Sequence, residues 1–126
     1  MSAIANSRTV QPEARAVLSK AVTRAAERMS LTRTLLGRVL GLSPATVTRL
    51  YGGTYQLEPS RKEWEFAVLL VRAFRSLDSI VGEESTARKW LASDNRALGG
   101  RPVDLMTSTE GLVRVVQYLD ASRGIV

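Results

Sequence analysis

The sequence predicts an all-α protein, with an N-terminal helix-turn-helix joined by a long central helix to a small helical C-terminal domain. Apolar residues recur at helical spacing, and no segment shows the apolar–polar alternation of a half-buried strand. Glycine or proline, often beside serine or threonine, divides the chain at short intervals. With 126 residues, 44% of them hydrophobic, the chain is long enough to bury a shared core.

The N-terminal part is predicted to hold a flexible tail and three helices. Ser, Thr and Pro are expected at the helix starts, and Gly ends a helix by adopting a left-handed conformation. The tail is predicted over residues 1–10 and the first helix from Pro12 to residue 29. The second helix has Ser30 as its N-cap and ends at Gly41. The third begins at Ser43-Pro44 and ends at Gly52-Gly53.

The C-terminal part follows a long helix that is expected to begin at Pro59 and Ser60 and to end near Leu77. Its centre, residues 66–71, is apolar on every side, so we expect burial all round. The remaining predicted elements are a helix that ends near 92, a loop over 93–100, a short turn at 102–106 and a last helix over about 109–121. We therefore divide the chain into residues 11–76, with the helix-turn-helix at 31–53, and residues 77–126.

Charge and composition limit the possible functions. The net charge is +6, but residues 1–76 carry twelve Lys and Arg against five Asp and Glu, whereas residues 77–126 carry six against seven. A basic excess in one part of a molecule attracts polyanions. The chain has no Cys and no His, and its acids form no pair with a base, nucleophile or metal-ligand spacing. We therefore expect no enzyme, no metal and no cofactor.

The start of the chain has no apolar run of the signal-peptide kind, and the longest apolar stretch is too short to span a bilayer. We expect a cytoplasmic protein without a membrane partner.

Residues 31–53 meet the geometric demands of a helix-turn-helix. The two helices touch at a small residue, which we assign to Gly37, and turn at Gly41. Apolar residues must hold the second helix onto the core; these are Leu36, Leu42, Val47 and Leu50.

The second of these helices is expected to read DNA with its outward face. Because Val47 and Leu50 point inward, a step of 100° per residue turns Ala45, Thr48 and Arg49 outward and leaves Thr46 on the flank. Arg49 is the candidate for reading a guanine edge, since a guanidinium binds it bidentately. The remaining DNA-binding candidates reach phosphates or a thymine methyl: Ser43, Thr46, Thr48 and, at the start of the preceding helix, Arg33.

The segment LTRTLLGRVLGLSPATVTRLYGG resembles the Xre/phage-repressor type of helix-turn-helix. It departs from that family's pattern at two positions, where Arg33 replaces the usual Gln and Tyr51 replaces a frequent Glu. The resemblance implies binding to double-stranded operator DNA. One such helix reads only a half-site, so we expect a homodimer.

The segment ARKWLASDNRALGGRPVDLMTSTEGLVRVVQYLDASRG resembles the Xre/MbcA/ParS toxin-binding domain of bacterial antitoxins. Residues at Trp90-Leu91, Leu98-Gly99-Gly100 and Pro102 carry the likeness, and Asp94 stands where that family usually has Pro. The resemblance implies a type II antitoxin that blocks the active site of a RES-domain toxin, an enzyme that attacks NAD, and represses its own operon.

Two groups of residues are candidates for toxin binding. One is the loop with its glycine turn: Asn95, Gly99, Gly100 and Arg101. The other is the tail, whose last two residues are β-branched and apolar and suit insertion into a pocket: Ser122, Arg123, Gly124, Ile125 and Val126. A frayed terminus is the alternative for the tail. For the whole chain, the alternative is a stand-alone phage-type repressor whose C-terminal part only dimerises.

Overall fold

The computed structural model describes residues 12–124, and within them the chain forms seven helices and no strand. No helix in this range is long and apolar enough to cross a membrane. The helices are α1 (Pro12–Arg28), α2 (Arg33–Leu40), α3 (Pro44–Gly52), α4 (Lys62–Val81), α5 (Glu84–Ala92), α6 (Pro102–Leu105) and α7 (Thr109–Ser122). The predicted all-α class is confirmed, and the predicted N-terminal tail lies outside the described residues.

Helices α2 and α3 form the helix-turn-helix. Ser43 caps α3, as predicted, and its hydroxyl accepts a hydrogen bond from the Thr46 amide at 3.2 Å. Gly41 ends α2 with φ +75°. Gly37 packs where a Cβ would come within 2.9 Å of the Leu42 carbonyl oxygen, so only glycine lets the two helices approach this closely.

The predicted cap at Ser30 is wrong, because this residue ends α1 and the N-cap of α2 is Thr32. Ser30 takes φ +58°. The Leu31 amide donates to the Ala26 carbonyl at 2.8 Å and the Ser30 amide to the Glu27 carbonyl at 3.0 Å. These two bonds close the end of α1 as a Schellman motif, with serine at the position that glycine usually takes.

Helix α4 is the central helix of the fold and packs against α1, α2, α5 and α7. It begins at Lys62, not at Pro59, because residues 58–61 form a turn in which the Arg61 amide donates to the Glu58 carbonyl at 3.0 Å. Leu70 and Leu77 of α4 are fully buried in the core that both halves share.

The expectation that the centre of α4 is buried on every side is also wrong. Ala67 and Leu70 are buried, but Val68 is 45% exposed. The helices that pack against α4 cover only part of its circumference, and the face with Val68 remains exposed to solvent.

The C-terminal helices pack around a tight loop. Leu98 and Met106 are buried between α5, α6 and α7, and Trp90 of α5 stacks on Tyr118 of α7 with ring centroids 6.1 Å apart. Ser108 caps α7 by accepting from the Gly111 amide at 3.1 Å.

A buried polar contact joins α4 to α7. The Ser76 hydroxyl donates to the Asp120 carboxylate at 3.0 Å and accepts from the Arg123 guanidinium at 3.0 Å. Arg72, one turn before Ser76, forms an ion pair with Asp120. The buried carboxylate is thus hydrogen-bonded and paired with a charge of opposite sign, as burial requires.

Candidate functional site

The exposed face of α3 carries the predicted DNA-binding side chains. Ala45, Thr48 and Arg49 are exposed, while Thr46 is partly buried. The Thr46 hydroxyl lies 2.9 Å from the Ser43 hydroxyl and accepts from the Arg49 guanidinium at 3.2 Å. Ser43, Thr46 and Arg49 therefore form one hydrogen-bonded row along the face of α3.

Arg33, from the first turn of α2, lies on the opposite side of α3 from this row. Its guanidinium carbon is 4.1 Å from the centroid of the Tyr51 ring, within the range of a cation–π contact. Arg33 also lines a shallow groove between α2 and α3 with Arg38 and Pro44. The sequence analysis did not select Arg38 as a DNA-binding candidate. The only feature that could have pointed to it is an exposed position on α2 next to the turn.

A second missed cation, Arg61, lines a polar groove beside Ser43, Thr46 and Arg49. Arg61 immediately precedes α4, and the loop before it is held by the buried carboxylate of Glu63. That carboxylate accepts from the Glu58 amide at 2.9 Å and from the Tyr55 hydroxyl. Burial and then the bond to Glu63 raise the pKa of Tyr55 to about 12, so the phenol stays protonated and continues to donate.

The predicted turn near Asn95 is tightly closed. The Asn95 carbonyl accepts from the Gly99 amide at 2.8 Å, and the Asn95 amide donates to the Gly100 carbonyl at 2.9 Å. The Asn95 side-chain oxygen accepts from the Leu98 amide at 3.0 Å and so caps the turn. Gly99 has φ +82°, whereas Gly100 does not need a positive φ.

Two arginines fix this turn to the helices that follow it. Arg114 of α7 donates to the Leu98 carbonyl at 2.9 Å. Arg101 binds the Asp104 carboxylate with two nitrogens, at 2.8 and 3.2 Å. The hydrogen bond from Arg101 holds the pKa of Asp104 below its usual value. The exposed surface of the turn also includes Asp94 and Arg96, which the sequence interpretation did not select.

The tail candidates lie at the end of α7. Ser122 donates to the Tyr118 carbonyl at 2.9 Å, and Arg123 is turned back onto Ser76 of α4. Gly124 has φ +84°. Ile125 and Val126 lie outside the described residues. In the part of the chain that the structure covers, His, Cys, Asp and Glu form no group of three that would hold a metal.

Comparison with known families covers nearly the whole chain. Residues 8–72 match the antitoxin Xre-like helix-turn-helix domain, and residues 76–124 match the C-terminal toxin-binding domain of Xre/MbcA/ParS antitoxins. The chain belongs to this antitoxin family. Both resemblances noted in the sequence are thereby confirmed at the level of the family.

A solved structure agrees with this assignment. A chain in the crystal structure of the M. tuberculosis MbcT–MbcA toxin–antitoxin complex is 30% identical to this antitoxin, with a TM-score of 0.65. The match covers 86% of the present chain and 95% of the other. A search of curated proteins finds no match.

In this antitoxin the toxin-binding candidates form two groups, not one patch. Asn95, Gly99, Gly100 and Arg101 lie together at the turn that Arg114 anchors to α7. Arg123 comes nine residues after Arg114, which is roughly 13 Å further along the helix axis. A partner that touches both groups must therefore extend along α7.

Proposed function

We propose that this antitoxin binds a RES-domain, NAD-degrading toxin and covers its active site. The observation that carries the proposal is the match of residues 76–124 to a toxin-binding domain, together with the likeness to a chain of a toxin–antitoxin complex. The RES class of the toxin and the use of NAD rest on the resemblance of residues 87–124 to that antitoxin domain.

We further propose that the antitoxin represses its own operon through α3. The support is the exposed row of Ser43, Thr46 and Arg49, the cation Arg61 beside it, the cations Arg33 and Arg38 in the groove between α2 and α3, and the charge of +7 on residues 1–76. Helix α3 presents its N-terminal turns to solvent, which suits entry into a major groove. On this proposal the antitoxin acts in the cytoplasm and binds DNA as a homodimer.

Co-expression with the protein encoded next to it tests the first proposal. A RES-type protein from the adjacent gene should deplete cellular NAD and stop growth, and the full-length antitoxin should restore both. The two proteins should also co-purify as a stable complex. Unchanged NAD depletion in the presence of the antitoxin would overturn the proposal.

Gel-shift assays on the DNA upstream of the operon test the second proposal. Antitoxin alone and antitoxin with toxin should both be measured at one salt concentration, because charge-driven binding varies steeply with salt. Binding to the upstream DNA should exceed binding to a shuffled duplex of equal length. Equal affinity for the two duplexes would overturn repression by sequence-specific binding.

A further inference from the structure

The loop over residues 53–61 joins α3 to α4 and is fastened to the helices on two sides. From α1, the Ser19 hydroxyl accepts from the Leu57 amide at 2.9 Å, and Ser19 is only 5% exposed. The Arg15 guanidinium, also from α1, donates to the Leu57 carbonyl at 2.9 Å. From α4, the buried Glu63 carboxylate holds the loop through two further hydrogen bonds. The loop therefore presents its exposed side chains from a fixed backbone.

This loop places an acid and a base, Glu58 and Arg61, in the polar groove beside α3. The acid has a cation of its own, because Nη2 of Arg15 lies 3.6 Å from the Glu58 carboxylate. Arg61 and Arg49, the two bases that line the groove, are exposed and form no salt bridge within residues 12–124. The groove therefore offers two guanidinium groups to an anion.

We propose that Arg61 binds a phosphate of the DNA backbone while Arg49 reads a base edge. Ser19, which is buried and cannot touch DNA, is a positioning residue for this contact, because it fixes the loop that carries Arg61. The inference rests on the proposed repressor function, since it requires α3 to enter a major groove. Contacts to phosphates beside that groove set the position of a recognition helix on the duplex. A fixed loop holds Arg61 next to α3 before DNA binds, which reduces the ordering that binding requires.

The location of the groove favours DNA over an acidic segment of the toxin. Ser43, Thr46 and Arg49 of α3 line it, and every residue of its lining lies within the match to the helix-turn-helix domain. The match to the toxin-binding domain begins only at residue 76. A toxin contact here would change neutralisation and leave DNA binding intact, so assays of the same variants against the toxin distinguish the two.

The salt dependence of DNA binding tests the phosphate contact, because each neutralised phosphate adds about 0.9 to the slope of log K against log salt. Arg61→Ala should reduce that slope by about 0.9 and weaken binding about five- to tenfold in 0.1 M salt, equally for the upstream DNA and a shuffled duplex. Arg61→Lys should restore the slope, since a phosphate also accepts a point charge. Arg24→Ala removes an exposed arginine of α1 and is the matched control, which should keep the wild-type slope.

A variant without a change in charge tests the positioning role. Ser19→Ala removes the acceptor of the Leu57 amide and leaves Arg61 in the chain. Its slope should fall toward that of Arg61→Ala, and the double variant should bind no more weakly than Arg61→Ala alone. Thr23→Ala is the matched control, because the Thr23 hydroxyl donates to carbonyls within α1 and not to the loop. It should bind as the wild type does.

Three results would overturn the phosphate contact. One is a slope for Arg61→Ala equal to that of the wild type on both duplexes. Another is a loss of affinity for the upstream DNA alone, which would make Arg61 a reader of bases. The third is unchanged DNA binding with loss of NAD protection, which would assign the groove to the toxin. Because Arg61 is exposed, its variants are expected to keep the fold.

Wild-type affinity and slope in Ser19→Ala would overturn the positioning role. Failure of the proposed repressor function has a different signature, which is equal binding of the wild type to the upstream and shuffled duplexes. In that case the slope of Arg61→Ala on either duplex still decides whether Arg61 binds a phosphate.

Discussion

Arg33 of α2 stacks on Tyr51 of α3, with the guanidinium carbon 4.1 Å from the ring centroid. These are the two positions at which the helix-turn-helix departs from the pattern of phage repressors, and the fold brings them into contact. Burial, and then the charge of Glu27, raise the pKa of Tyr51, while Arg33 acts in the opposite direction. The two departures therefore act as a pair, in which the ring restricts where the guanidinium can point.

We expect Tyr51→Ala to weaken binding to the upstream DNA by about two- to fivefold. An exposed cation–π contact is worth about 0.5–1 kcal/mol, which here holds the Arg33 side chain in place before DNA binds. Without the ring, that free energy is spent on ordering Arg33 when the complex forms. Tyr51→Phe keeps the ring and should bind as the wild type does. If the Phe and Ala variants bind equally well in gel shifts, the ring does not position Arg33.

Arg49→Ala should weaken operator binding by ~1–3 kcal/mol, the typical cost of losing a bidentate contact to a base edge. Arg24→Ala is the matched control, because Arg24 is an exposed arginine on α1 and its loss lowers the net charge equally. Gel shifts with operator and shuffled DNA separate base readout from charge. Equal losses in the two variants would reduce the role of Arg49 to that of a general cation.

Gly37→Ala should destabilise the protein by about 1–3 kcal/mol, as overpacking of a close contact does. An added Cβ would lie 2.9 Å from the Leu42 carbonyl oxygen and 3.1 Å from Cγ2 of Val47, so the two helices must separate. Gly52→Ala is the control, since a Cβ there meets nothing within 4 Å. It should leave stability unchanged or raise it by about 0.4–1 kcal/mol. Urea unfolding measures both, and equal stability of the two variants would contradict the close approach at Gly37.

The sequence predicts most helices here because their signals are local. Ser43-Pro44 begins α3 as expected, and Gly41 and Gly99 take the positive φ that only glycine adopts easily. The order of the helices and the outward face of α3 follow from the same short-range rules.

What the sequence does not predict depends on contacts between distant residues. Ser30 looks like a cap, but Leu31 is buried and its amide closes α1, so the cap moves to Thr32. Similarly, the apolar centre of α4 does not indicate which of its faces the other helices leave open. The hydrogen bond between Ser76 and Asp120 joins residues 44 positions apart. Neither residue type nor periodicity shows such a pairing.

Removal of residues 122–126 should impair neutralisation of the toxin more than DNA binding, because the tail is separate from α3. Arg123→Ala is the companion variant. Because Arg123 also donates to the Ser76 hydroxyl, this variant tests whether loss of that contact alone impairs neutralisation. Toxin protection in a co-expression assay and gel shifts are measured for both. Full protection by the shortened chain would contradict insertion of the tail into the toxin.

The Tyr55–Glu63 contact should make stability fall at high pH. Burial and the bond to Glu63 raise the pKa of Tyr55 from 10.0 to about 12. The folded state therefore favours the protonated phenol. The contribution of the Tyr55–Glu63 contact to the free energy of unfolding is complete below about pH 10 and is lost as the pH rises through about 12.

At pH 7, Tyr55→Phe should lower the free energy of unfolding by about 1–3 kcal/mol, because the buried carboxylate of Glu63 loses one of its donors. The difference from the wild type should shrink between pH 10 and 12, where the wild type loses the same interaction. Tyr118→Phe keeps the Tyr55–Glu63 contact, so its free energy of unfolding should fall over this pH range as that of the wild type does. Urea unfolding from pH 8 to 12 gives the three curves. A constant difference between wild type and Tyr55→Phe up to pH 12 would show that Tyr55 does not titrate as a donor to Glu63.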